Sequence, residues 1–136
     1  MASAQIEPDS AHQLLVVDDD PDFLTFVAEL MESAGHRVQI ADSGAEALSL
    51  LEKIPDTELI ISDLSMPGMD GVELIQRARQ CREQLPAILL TGLADNGAAN
   101  PLSQVIGGDA TVLCKPVNSQ VLLDTVLQML GQGRPA

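Results

Sequence analysis

Leu59-Ile60-Ile61-Ser62-Asp63-Leu64-Ser65-Met66-Pro67-Gly68-Met69-Asp70-Gly71 is a short apolar run that ends in a lone acid. A turn carrying Pro and Gly follows, and a new amphipathic segment then begins. Apolar runs of this length between turn residues read as strands buried on both faces of a parallel sheet. The run predicts a strand over 58–62 with Asp63 at its carboxyl end, where open α/β sheets keep their sites. A carboxylate in that place is costly unless solvent, a cation or a hydrogen-bond donor receives it.

The same strand-then-helix unit recurs on both sides. Toward the amino terminus, Gln13 to Val17 reads as a strand, followed by Asp18-Asp19-Asp20-Pro21. Asp20 as N-cap and Pro21 at the first helical position start a helix. Phe23, Val27, Leu30 and Ala34 recur at helical spacing, Leu24 and Met31 widen the stripe, and Gly35 ends it. Arg37 to Ala41 alternates as a second strand. Ser43-Gly44-Ala45-Glu46 matches a capping box, with Ala47, Leu48 and Leu51 on the inward face. Toward the carboxyl terminus, Asp70 or Gly71 opens a helix whose apolar positions are Val72, Leu74, Ile75 and Ala78. Pro86 to Thr91 is a fourth strand, 92–100 a mobile Gly-, Ala- and Asn-rich loop, and Asn100-Pro101 caps a short helix through Ile106. Ala110 to Cys114 is a fifth strand and Lys115-Pro116 a turn. Asn118 or Ser119 caps the last helix, with Leu122, Leu123, Val126, Leu127 and Leu130 inward. Residues 1–12 and 131–136 read as tails around one domain over 13–130.

This β-α alternation, five times over, implies a parallel sheet with helices on both faces. Every strand then points its carboxyl end to one edge. Asp18, Asp19, Asp63, Thr91 and Lys115 all fall at or just after strand ends, so five stretches converge there.

A chain of 136 residues with 46% hydrophobic content suits one folded domain. The formal net charge of −13 argues against direct binding to nucleic acid or to anionic membrane, and points to cations or basic surfaces as partners. No run is long enough to insert in a membrane, and residues 1–13 carry no signal pattern, so a cytoplasmic location is expected. Cys81 and Cys114 lack metal-ligand spacing and are expected to be reduced thiols, one of them in the core.

Three carboxylates at one edge repel unless a hard divalent cation joins them, and Mg²⁺ prefers oxygen ligands. Lys115 adds a fixed positive charge and Thr91 a hydroxyl donor. Together they suit a phosphoryl group on a carboxylate oxygen. Each group alone also fits an ordinary turn, cap or surface role; the joint placement carries the weight.

The chain resembles the receiver domain of two-component response regulators over about residues 13–130. The matching pieces are Leu15 to Pro21, Asp63 to Gly71, Leu90-Thr91-Gly92 and Lys115-Pro116. The resemblance implies a flavodoxin-like doubly wound sheet in the order 2-1-3-4-5. It implies Asp63 as phosphoacceptor, taking the group from a histidine kinase or a histidine phosphotransfer protein. It makes Asp19, Asp63 and the Ser65 backbone carbonyl Mg²⁺ ligands, with Asp18 acting through bound water. Thr91 becomes the switch hydroxyl and Lys115 the partner of the phosphoryl oxygens, aimed by a cis peptide before Pro116. A signalling phosphoacceptor, and not an enzyme acting on a separate substrate, is the expectation.

Two features depart from the family pattern. Val112 stands where an aromatic is common, three positions before the lysine, so the usual Thr-to-aromatic coupling is absent. The segment from Thr91 to Lys115 carries Gly97, Asn100, Pro101 and Gly107-Gly108, which shortens or displaces its helix. Other readings are a pseudo-receiver that only binds partners, and a small haloacid-dehalogenase-type phosphatase begun by Asp18-Asp19-Asp20. The latter leaves the run after Asp63 unexplained. Flavodoxin-like cofactor binding meets acids where a phosphate should sit. Polar tails suit a receiver cut from a hybrid sensor kinase slightly better than a stand-alone one.

Overall fold

The computed structural model describes residues 12–92 and 108–132. Five strands, β1 (Gln13–Val17), β2 (Arg37–Ala41), β3 (Leu59–Asp63), β4 (Ala87–Thr91) and β5 (Ala110–Cys114), form one parallel sheet in the order β2-β1-β3-β4-β5. The helices α1 (Pro21–Ser33), α2 (Gly44–Lys53), α3 (Gly71–Cys81) and α4 (Ser119–Gln132) cover both faces. The short helix expected over 100–106 and most of the loop expected over 92–100 lie outside the described residues, as do the ends of both tails.

Strand periodicity divides the core in two. Leu14, Val16, Leu59, Ile61, Ile88 and Leu90 pack with Leu24, Val27 and Met31 of α1 and Leu122, Val126 and Met129 of α4. Their alternates Leu15, Val17, Ile60, Ala87 and Leu89 pack with Ala47 and Leu51 of α2 and Leu74, Ile75 and Ala78 of α3. Because the central strands are covered on both sides, they read as unbroken apolar runs.

Several local expectations shift. β3 runs one residue later than expected, so Asp63 is its last residue, and Pro86 precedes β4 while its carbonyl still accepts from the Ile60 N–H at 3.1 Å. Ser43 caps α2 through the Glu46 N–H, but the Glu46 carboxylate accepts from the Asp42 N–H at 2.9 Å and not from Ser43. Ala34 is the exposed C-cap of α1, followed by Gly35 at φ 96°. Asn118 caps α4 through the Val121 N–H at 3.0 Å, and the helix runs two residues past its expected end. Leu127 points to solvent, 60% exposed, while Met129 takes the inward place. Neither cysteine is in the core: Cys81 lies on the outer side of α3 and Cys114 ends an edge strand.

The amino-terminal edge of the sheet is closed by Arg79 of α3 and by Arg82, the C-cap of that helix. Arg79 donates to the carbonyls of Leu85 and Asp109 at 3.1 and 2.9 Å. Arg82 donates to those of Pro55 and Thr57 at 2.8 and 2.6 Å. The opposite, carboxyl edge carries the acids.

Candidate functional site

Each side chain of the site is set by the end of an element. β1 stops at Val17 and leaves Asp18 buried at its tip, where its N–H donates to the Ala41 carbonyl at 3.2 Å. Asp18 Oδ1 accepts from the Asp20 N–H at 2.9 Å, a local turn that turns the chain into α1. Asp19, between them, is exposed. Asp63 is buried at the end of β3, and the hydroxyl of Ser62 donates to its backbone carbonyl at 2.9 Å.

Asp18, Asp19 and Asp63 each present an oxygen within 4.8 Å of the others. Lys115 enters from the end of β5. Its Nζ stands 3.1 Å from Asp18 Oδ2 and 3.2 Å from Asp63 Oδ1. Its backbone N–H donates to the Thr91 carbonyl at 2.7 Å, and the Lys115–Pro116 peptide bond is cis. Thr91 is buried at the end of β4, beside β3. Ser65 is exposed in the loop that follows β3.

Burial dominates the Asp18 carboxyl and, with the charge of Asp63, raises its pKa against the hydrogen bonds from Asp20 and Lys115. Burial pulls the Lys115 ammonium down, but the hydrogen bonds and charges of Asp18 and Asp63 outweigh it and hold its pKa above the ordinary value. Among the described residues, the edge is therefore an anionic cradle with one embedded cation. A cradle of three carboxylates has the donor chemistry of a hard divalent ion. A lysine spanning two of them can follow a charge that arrives between them.

Of the residues singled out from the sequence, Asp18, Asp19, Asp63 and Lys115 come together. Thr91 flanks them on the adjacent strand, and Ser65 follows two residues after Asp63. A contact that strand-end reasoning misses is made by Phe23, whose ring centroid lies 4.4 Å from Lys115 Nζ. At the other end, Gly71 opens α3 with no room for a side chain. A Cβ there would stand 2.5 Å from the Asp63 carbonyl oxygen.

Residues 14–127 match the family model described as the response regulator receiver domain. The response regulator receiver protein CpdR of Brucella abortus is 36% identical over 118 residues, covering 87% of this chain and 96% of the relative. The transcriptional regulatory protein GlrR of Escherichia coli is 35% identical over 123 residues, 90% of this chain. The chain spans only about a quarter of GlrR, 27% of its length. Among solved structures, the chemotaxis protein CheY4 of Vibrio cholerae superposes with a TM-score of 0.79 at 29% identity, over 88% of this chain and 98% of that one.

Proposed function

The chain belongs to the response regulator receiver domain family, and on that premise we propose that it is a phospho-accepting module of a two-component phosphorelay. An Asp63 carboxylate oxygen attacks the phosphorus of a phosphohistidine. The O–P bond forms, the N–P bond breaks, and its electron pair leaves with the imidazole of a histidine kinase or a histidine phosphotransfer protein. Lys115 neutralises the charge on the phosphoryl oxygens, and the Thr91 hydroxyl donates to one of them once the group is in place. Asp18, Asp19 and Asp63, with the Ser65 carbonyl, would hold Mg²⁺. That ion, when bound, lowers the electrostatic barrier between an anionic nucleophile and an anionic phosphoryl group. The phosphorylated form then switches partner interactions, and the activity is that of a signalling receiver.

The observation that carries this reading is Lys115 Nζ between Asp18 and Asp63, at 3.1 and 3.2 Å, beside a third carboxylate. Incubation with Mg²⁺ and acetyl phosphate, followed by intact mass, tests it. The parent is expected to gain one phosphoryl adduct and Asp63→Asn none. An equal adduct on both proteins refutes the assignment.

A further inference from the structure

The whole chain holds two residues from the set Phe, Trp and Tyr, namely Phe23 and Phe26, and both fall in the first two turns of α1. Asp20 caps the helix and Pro21 fixes its first turn, so Phe23 is third in the helix, directly after the acid run. Its ring faces Lys115 Nζ at 4.4 Å, and the Phe26 ring stands 5.9 Å from that of Phe23, tilted by 49°. A ring within about 6 Å of an ammonium attracts it. Lysine is a compact charge on a flexible stem and depends on its surroundings for position. Asp18 and Asp63 also anchor Lys115, but they are the same carboxylates that a divalent ion would draw on. The ring has no ligand atom for such an ion to draw on.

We propose that Phe23, in contact with Phe26, is a positioning residue that holds the Lys115 ammonium over the Asp18–Asp63 pair. This rests on the role given above to Lys115. The chain has two lysines, Lys53 and Lys115, so ¹³C-lysine labelling gives two sets of ε-methylene resonances with Lys53 as internal reference. In the parent and in Phe23→Tyr, the Lys115 signal is expected upfield of Lys53 through the ring current. In Phe23→Leu the separation collapses.

The rate of phosphorylation by acetyl phosphate with Mg²⁺ is expected to fall about three- to tenfold in Phe23→Leu and to stay within about twofold in Phe23→Tyr, given the usual strength of such contacts. Phe23→Met serves if Phe23→Leu does not fold. An unshifted Lys115 in the parent overturns the inference. So does parental speed in Phe23→Leu, or equal slowing in Phe23→Leu and Phe23→Tyr. A parent that takes up no phosphoryl group refutes the proposed function instead, and the resonance then still decides where Phe23 holds Lys115.

Discussion

His36 lies just before β2, 8% exposed, with its Nδ1 meeting no hydrogen-bond partner. Its ring is 5.8 Å from that of His12, whose Nδ1 is 2.8 Å from Glu58 Oε1. Burial first, and His12 second, lower the His36 pKa, with Glu58 opposing. A histidine lowered in the folded state is protonated first in the unfolded chain as pH falls. Its contribution to stability is full above the unfolded value near 6.5 and is lost below it, toward the folded pKa. Replacing His36 by Leu is expected to flatten the fall in unfolding free energy between about pH 7 and about pH 5. Urea titrations at both pH values check this, and an equal fall in parent and variant counts against it. Asp19 is exposed, so its side chain contributes charge and little packing. Asp19→Asn is expected to remove most of the Mg²⁺-induced rise in melting temperature. It should also raise the metal-free melting temperature by roughly 1–3 °C, because one of three repelling carboxylates is gone. Thermal melts with and without Mg²⁺ decide both.

The join between β3 and α3 carries the tightest constraint on an element. A Cβ on Gly71 would meet the Asp63 carbonyl oxygen at 2.5 Å and Leu89 Cδ2 at 2.7 Å, neither of which is the loose end of a surface side chain. Gly71→Ala is therefore expected to cost about 1–3 kcal/mol by overpacking. It should slow phosphorylation as well, since α3 must retreat from the residue that carries the nucleophile. Denaturant unfolding and the acetyl phosphate rate measure the two effects. On α4, Met129→Ala should cost about 2–5 kcal/mol while Leu127→Gln stays within about 0.5 kcal/mol. A large loss in Leu127→Gln would return that residue to the core. This helix shows where sequence periodicity runs out. Leu122, Leu123, Val126, Leu127, Met129 and Leu130 are all apolar, so several stripes fit the spacing and only the sheet selects one. The central strands were readable because unbroken apolar runs between turns leave few alternatives. Their ends were less so, since backbone pairing continues a residue past the apolar side chains, as at Asp63. Phe23 was placed on the apolar stripe of α1, where it does pack, but helical spacing cannot tell that its ring also faces a lysine from β5. The scarcity of aromatics, and their position just after the acids, is the signal that could have found it.

The carboxyl edge of the sheet concentrates negative charge. Asp18, Asp19, Asp20 and Asp63 gather at the carboxyl edge, while Arg79 and Arg82 bind carbonyls at the amino edge, within a net charge of −13. Self-repulsion of this kind is screened by salt. Raising NaCl from roughly 0.05 M to roughly 0.5 M should stabilise the parent and Asp19→Asn alike, because the screening length falls well below the size of the domain. Mg²⁺ at matched ionic strength should add a further rise in the parent and little in Asp19→Asn. Identical responses to the two salts in the parent would mean that no specific cation site forms. The carboxyl-edge cluster was legible from sequence because a parallel sheet gathers every strand end on one side, which is a property of topology and needs no side-chain detail. The His12–His36–Glu58 group at the other edge was not, since His12 read as the end of a tail and Glu58 as an ordinary strand start, and nothing in the spacing joins them to His36. With no Trp or Tyr in the chain, the protein is nearly dark in near-ultraviolet absorption and fluorescence. A single tryptophan placed at the half-exposed Phe26 would be the sole intrinsic fluorophore, one ring away from Lys115, and its emission would report events at the carboxylates without background.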